Sequence, residues 1–164
     1  MKETSFLNKA EKKALELIGK EKINIKSLKN SRGHEGESCP YGNLYIGTKK
    51  QGSFNEDTWG GGMMHNISDE LEKNLQQICE KSGTYYSEFF KEEETLDMSD
   101  LIYLLIDLKE YSTKCKKKCV IKCKDKRGSY TIEFQVPFIK EEEKEFVNEI
   151  KKDVIEYEIL NKRY

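Results

Sequence analysis

The chain has 164 residues, of which 36% are charged and 36% apolar, and its formal net charge is −1. No stretch approaches the roughly 18–20 apolar residues of a membrane-spanning helix, and the first residues lack the apolar segment of a signal peptide. The five cysteines are odd in number, which favours reduced thiols over a disulfide framework. These features predict a cytoplasmic protein that does not associate with membranes.

An amphipathic pattern opens the chain. Apolar residues recur at helical spacing from Phe6 to Ile18 and predict an N-terminal helix. Thr4 or Ser5 is expected to cap its start, because short polar side chains satisfy the first backbone N–H groups. Gly19 is expected to follow its end, since glycine readily adopts the backbone conformation found after a helix.

Short strands and glycine-rich segments follow this helix. Alternation of apolar and polar residues predicts a strand over residues 23–28. Residues 43–46 and 53–55 predict two further strands, joined as a hairpin around a polar turn. Residues 31–42 and 56–65 are predicted to be loops, because glycine and polar residues dominate them.

Two helices are predicted in the centre of the chain. Ser68 is expected to cap the first, which covers residues 69–81 and is followed by a glycine. Asp97 or Ser99 is expected to cap the second, which contains the most apolar stretch of the sequence. Residues 85–90, which are rich in aromatic side chains, fit a helix and a loop equally well.

The C-terminal part of the chain predicts a hairpin and a last helix. Residues 119–123 and 129–138 read as strands, with a turn at residues 125–128 between them. Their alternating apolar positions are typical of an antiparallel hairpin with one exposed face. Residues 141–160 predict a charged amphipathic helix.

These elements predict the α+β class. The expected order is an N-terminal helix, a small antiparallel β region, two central helices, a C-terminal β-hairpin and a final helix. We expect a single domain over residues 1–164, with a division into residues 1–96 and 97–164 as the alternative.

The small net charge hides three blocks of opposite sign. Residues 1–53 carry a net charge of +5, residues 54–108 a net charge of −10, and residues 109–164 a net charge of +4. Such blocks produce local electric fields that the total charge does not reveal. The acidic block would suit a basic partner surface, unless the blocks neutralise each other in the fold.

The two glycine-rich loops form the leading candidate site. They contain both histidines, the only tryptophan and six of the eleven glycines. Glycine lets a backbone approach a ligand closely, and Trp59 could stack on a nucleobase. In the alternative, the glycines serve tight turns and Trp59 fills a small core. The candidate ligand-binding residues are Arg32, His34, Glu35, Asp57, Trp59, Gly60, Gly61 and His65.

Metal binding is a further alternative. His34, Asp57 and His65 are ligand types that could hold a metal ion for hydrolysis. Three cysteines with four-residue spacing could contribute to a zinc site, although the paired Cys-x₂-Cys spacing is absent. On a strand, the second and third of these cysteines would instead face the core together. The three are Cys115, Cys119 and Cys123. We expect neither a catalytic residue nor a resident cofactor.

A lysine-rich stretch offers the second alternative function. Residues 114–127 contain eight basic side chains, which could bind nucleic-acid phosphates. Few arginines and few aromatic residues accompany them, so base-specific contacts are not expected. The candidate residues are Lys116, Lys117, Lys118, Lys122, Lys124 and Arg127.

Three motifs carry a resemblance to known proteins. They are GHEG at residues 33–36, GNLYIGTKK at residues 42–50 and EDTWGG at residues 56–61. With the acidic helix and basic hairpin that follow, residues 23–138 resemble small uncharacterised proteins carried by phages and prophages.

The resemblance implies a context and no specific functional residue. Compact accessory proteins of this kind often inhibit bacterial defence, by binding a host protein or by sequestering a nucleotide signal. We therefore expect a non-enzymatic binding protein that acts as a phage-type antagonist of a bacterial defence system, whose partner is a bacterial host protein or a nucleotide-type ligand. Nucleic-acid binding and metal-dependent hydrolysis remain the alternatives.

Overall fold

The computed structural model describes residues 1–150 and 153–164, and within them four helices and ten strands form a mixed α+β structure. The predicted fold class is confirmed. Residues 7–109 form one compact unit, and residues 1–6 with 110–164 form a second. None of the helices in these described ranges is long and apolar enough to cross a bilayer. The single domain expected from the sequence stays a prediction.

The element bounds are as follows. The helices are α1 (Lys9–Lys20), α2 (Asp69–Ser82), α3 (Met98–Lys114) and α4 (Glu143–Asn148). The first five strands are β1 (Lys2–Glu3), β2 (Ile23–Arg32), β3 (Ser38–Ile46), β4 (Lys49–Glu56) and β5 (Met63–Ile67). The other five are β6 (Thr84–Ser87), β7 (Glu92–Thr95), β8 (Cys119–Asp125), β9 (Gly128–Phe134) and β10 (Glu156–Ile159).

The unit of residues 7–109 is built on an antiparallel sheet in the order β2-β3-β4-β5. One face of this sheet carries Leu44 and Phe54, which are buried together with residues of α1, α2 and α3. Side chains alternate between the two faces of a strand, so the neighbouring residues point to the opposite face. That opposite face holds the candidate site described below.

Helix α1 begins later than the sequence predicts. Neither Thr4 nor Ser5 caps it, because the Asn8 side chain accepts a 2.8 Å hydrogen bond from the Glu11 N–H and the Glu11 carboxylate accepts one from the Asn8 N–H. This reciprocal capping box satisfies two backbone donors at once. Gly19 lies inside the helix, which ends one residue later.

The predicted loops are largely strand. Of residues 31–42 and 56–65, only the turns at residues 33–37 and 57–62 lie outside β2, β3, β4 and β5. Strand β5 begins within residues 56–65, which were predicted to be loop. Several residues of these segments, such as Ser31 and Tyr41, lie on the outward face of the strands. A composition typical of loops therefore corresponds here to an exposed strand face.

The central helices match their predictions. Ser68 caps α2 by accepting a hydrogen bond from the Leu71 N–H, and Gly83 follows its end with φ +77°. At α3, the N–H of Asp97 and the N–H of Asp100 each donate 2.9 Å hydrogen bonds to the other's carboxylate, so Asp97 is the cap. The ambiguous residues 85–90 belong to an antiparallel hairpin formed by β6 and β7.

In the second unit the predicted final helix is wrong. Helix α4 covers only Glu143–Asn148, and Glu156–Ile159 forms β10, which pairs antiparallel with β8. Strand β8 has two edges, and β10 supplies the hydrogen-bonding partners that its second edge requires. The predicted β8–β9 hairpin is present, although β9 ends at Phe134 rather than at residue 138. Residues 151 and 152 of the predicted helix lie outside the described residues.

Candidate ligand-binding site

Two turns meet at one end of the β2–β5 sheet. We call residues 33–37 the His34 turn and residues 57–62 the Trp59 turn. The His34 N–H donates a 3.0 Å hydrogen bond to the Thr58 carbonyl oxygen. The His34 and Trp59 rings stack with their centroids 4.9 Å apart and their planes 18° from parallel. The structure thus brings two candidate residues from separate predicted loops into direct contact.

The Trp59 turn is held by its first residue. The Asp57 carboxylate accepts hydrogen bonds from the N–H groups of Trp59 (3.2 Å) and Gly61 (3.0 Å). A Cβ at Gly61 would lie 2.2 Å from an Asp57 carboxylate oxygen, so a larger residue there would displace the carboxylate from the N–H groups that it accepts. The Trp59 side chain is 76% exposed, which contradicts the alternative in which it fills a core. The turn therefore presents an indole ring to solvent in a defined position.

The His34 turn contains the other candidates from the first loop. The Glu35 N–H donates a 2.9 Å hydrogen bond to the Glu37 carboxylate, and the His34 and Glu35 side chains lie 3.8 Å apart. The Arg32 guanidinium lies beside Gly36. Arg32, at the end of β2, is therefore an exposed neighbour of His34 and Glu35 in the turn.

A groove lies on the outward face of the sheet, next to the Trp59 turn. Its volume is about 720 Å³, and Asp57 and Thr58 line the end where the turn begins. One row of cross-strand partners crosses it from β2 to β5: Lys29, Tyr41, Asn55 and Met64. The other lining residues are Ser27, Ser31, Gly42, Asn43, Ser53, Phe54 and Glu56.

Sequence reasoning missed the groove residues other than Asp57. The available signal was the alternation of polar residues such as Asn43, Ser53 and Asn55 along predicted strands, since alternate residues share a face. Neither the residues of β5 nor its register was predicted, so the row across the sheet could not be assembled. Residues on the face of a sheet become neighbours only once the strand register is known.

A hydrogen bond from α3 fixes the end of β4 near the groove. The Tyr103 hydroxyl donates a 2.9 Å hydrogen bond to a Glu56 carboxylate oxygen. Partial burial, followed by this hydrogen bond to Glu56, raises the pKa of Tyr103 to about 12. Tyr103 is therefore a neutral hydrogen-bond donor across the physiological pH range, and it holds the strand from which the Trp59 turn starts.

His65 does not join the other candidates. It pairs with Phe54 across the β4–β5 ladder, so its side chain lies on the core face of the sheet. Asp57 is engaged by its own turn, and His34 is stacked on Trp59. Within residues 1–150 and 153–164, no three His, Cys, Asp or Glu side chains gather as a metal-binding group. The hydrolase and zinc alternatives have no assembled ligand set there.

The cysteines of β8 behave as core residues. Cys119 and Cys123 are fully buried with Ile121 between them, as the strand alternative predicted. Burial raises the pKa of each of the two thiols to about 11. Both side chains are therefore uncharged in the folded protein.

Three of the eight basic side chains in the lysine-rich stretch contact carboxylates. Lys114 and Lys118 contact Glu133 at 2.9 Å and 2.8 Å, and Lys124 contacts Glu156 at 3.7 Å. Lys122 lies over the ring of Phe6. Four basic side chains of the stretch are exposed and have no ion-pair partner in the described parts of the chain: Lys116, Lys117, Lys126 and Arg127. Phosphate binding by this stretch stays a prediction that depends on these four.

Comparisons with protein-family models, with curated proteins and with solved structures each found no significant match. The resemblance of residues 23–138 to phage and prophage proteins therefore stays a prediction. The candidate site rests on its own geometry: an exposed indole ring, stacked on one side and held by a carboxylate, at the end of a polar groove.

Proposed function

We propose that this chain is a non-enzymatic binding protein whose groove and Trp59 turn take a nucleotide-type ligand. The observation that carries the proposal is the indole ring of Trp59, which is stacked on His34 and 76% exposed beside a groove of about 720 Å³. Small-molecule sites typically have volumes of roughly 300–1,000 Å³. A ring that is already oriented loses little conformational freedom when a base stacks on it.

The groove chemistry narrows the ligand class. Stacking on an aromatic side chain contributes about 1–3 kcal/mol per base and tolerates any base. The Tyr41 hydroxyl and the Asn43 and Asn55 amides can hydrogen-bond to a sugar or a base edge, and Lys29 can contact a phosphate. Carboxylates also line the groove, so we infer a nucleotide with few phosphates rather than a triphosphate.

The biological role follows from binding alone. A protein that holds a nucleotide signal lowers its free concentration without any reaction. This matches what the resemblance to phage proteins implies, so we propose a phage-type antagonist that sequesters a nucleotide used by a bacterial defence system.

Fluorescence of the single tryptophan tests the proposal. The protein is titrated with AMP, GMP, their 3′,5′-cyclic forms and cyclic dinucleotides while Trp59 emission is recorded. A stacked base is expected to quench the emission saturably and to raise the melting temperature by several degrees. Calorimetric titration then compares Trp59→Ala, which is expected to weaken binding at least tenfold, with Trp59→Phe, which should retain part of it.

Phe89→Ala is the matched control, because Phe89 is also an exposed aromatic side chain but belongs to the β6–β7 hairpin and not to the Trp59 turn. It should bind the ligand as the unchanged protein does. Absence of quenching with every nucleotide in the panel would refute the proposal. Equal affinity of the unchanged protein and Trp59→Ala would refute the assigned site.

A further inference from the structure

The hairpin of β6 and β7 carries an exposed pair of phenylalanines at its tip. We call residues 84–95 the Phe hairpin. Phe89 is 86% exposed and Phe90 is 61% exposed, and their rings meet edge to face with centroids 4.8 Å apart. Single exposed apolar residues are ordinary, whereas adjacent ones that form a patch are typical of interaction sites. No residue of the Phe hairpin lines the groove.

Hydrogen bonds define the conformation of this tip. The Lys91 N–H donates a 2.8 Å hydrogen bond to the Ser87 carbonyl oxygen, and the Phe90 N–H donates to the Ser87 hydroxyl. Lys91 adopts φ +61°, a left-handed conformation that closes the turn. The two rings therefore project from an ordered turn, which lowers the entropy lost when a partner covers them.

The base of the hairpin anchors it to its own unit. Tyr85 is half-buried and packs against the core of residues 7–109, and Ser87 is buried. Tyr86 points to the other side of β6 and is largely exposed. Three aromatic side chains, those of Tyr86, Phe89 and Phe90, thus remain uncovered on one short hairpin.

The charge around these rings selects the partner. The Phe hairpin contains four glutamates and one lysine, and the lysine is paired with Glu88 at 2.8 Å. Glu92 and Glu93 directly follow the tip and are exposed. An anionic lipid surface would be repelled by this charge. A protein surface with an apolar pocket surrounded by lysine or arginine complements both features.

We propose that the Phe hairpin is a docking element for a basic protein partner, with the two phenylalanine rings inserted in an apolar pocket and the glutamates facing its basic rim. This site is independent of the groove. Each function can therefore fail while the other stands.

Capture followed by reconstitution tests the proposal. The unchanged protein and the double variant Phe89→Ser/Phe90→Ser are each immobilised and exposed to a bacterial lysate. A protein retained only by the unchanged chain is then purified for titration. We expect a partner of positive net charge whose affinity falls at least tenfold with the double serine variant and at least fivefold with Glu92→Gln/Glu93→Gln. Its affinity is also expected to fall as salt rises from 50 to 300 mM.

Trp59→Ala is the matched control and should bind the partner within twofold of the unchanged protein. Equal melting temperatures show that the substituted chains remain folded. The proposal is overturned if the unchanged chain retains no protein that the double serine variant fails to retain, or if the partner is acidic. It is also overturned if the unchanged protein, but not the double serine variant, self-associates in sedimentation. The same holds if only the unchanged protein floats with phosphatidylcholine–phosphatidylglycerol vesicles.

Discussion

At the residue scale, a single carboxylate determines where the candidate site places its aromatic ring. The Asp57 carboxylate accepts hydrogen bonds from two N–H groups of its own turn, and the ring of Trp59, which stacks on His34, is 76% exposed. Such Asx turns order a few residues locally and contribute little to the rest of a sheet. Removal of the carboxylate should therefore loosen the ring without unfolding the protein.

Asp57→Ala is expected to increase the fast motion of Trp59. Time-resolved fluorescence anisotropy of this single tryptophan should show a larger nanosecond amplitude, and nucleotide affinity should fall about tenfold. The melting temperature is expected to fall by only a few degrees, since the loss of such a turn costs on the order of 1 kcal/mol.

Asp125→Ala provides the matched control for this prediction. Asp125 accepts the N–H groups of Arg127 and Gly128 in the turn between β8 and β9, in the same manner as Asp57 does in its own turn. Its removal should leave the anisotropy of Trp59 unchanged. Unchanged anisotropy in Asp57→Ala would show that His34 alone positions the ring.

At the element scale, the sequence predicted an element correctly where the spacing of apolar residues and the capping residues indicate the same boundaries. Helix α2 has Ser68 before it, an apolar stripe within it and Gly83 after it, and its bounds match the prediction within one residue. Residues 141–160 have an equally helical pattern, but Glu156–Ile159 pairs with β8 instead. Residues 156–159 form a strand because they pair with β8, which is distant in the sequence. The spacing of apolar residues within a segment carries no information about such a partner.

The candidate site was predictable only where local composition singled out its residues. Stacking of His34 on Trp59 joins two turns that were both singled out from their composition. The groove depends on the register of four strands, one of which has no strong apolar alternation. His65 was grouped with the site by its position in the sequence, yet its strand turns it to the opposite face.

Strand β8 supplies a prediction about thiol reactivity. Burial raises the pKa of Cys119 and Cys123 to about 11, so the reactive thiolate form is about 100-fold scarcer at pH 8 than in an unfolded chain. Alkylation by iodoacetamide at pH 8, read by peptide mass spectrometry, should modify these two cysteines at least 100-fold more slowly than in urea. Labelling of either thiol at the unfolded rate in the folded protein would contradict the burial of β8.

At the scale of the whole molecule, each compact unit has its own core. One cluster of buried side chains runs from Ala10 to Ile106, and the other draws on β8, α4 and β10. The groove, the Trp59 turn and the Phe hairpin all belong to the unit of residues 7–109. The proposed binding functions therefore need only that unit.

A fragment of residues 7–114, which keeps α3 whole, is expected to fold alone. Its circular dichroism should show the helix and strand content of α1–α3 and β2–β7, and it should unfold cooperatively in urea. Nucleotide affinity should stay within threefold of that of the full chain. A fragment that lacks a cooperative unfolding transition would show that both units form one domain, as predicted from the sequence.

The pairing of β1 with β10 has a consequence for the order of events during synthesis. Lys2 and Glu3 pair in parallel with Glu156 and Tyr157, and the Phe6 N–H donates to the Glu158 carboxylate. Residues 7–109 are contiguous, so a ribosome can release a complete core for this unit while residues 1–6 still lack their partner strand. Residues 1–6 are thus synthesised before the core of residues 7–109, but they reach their native neighbours after it.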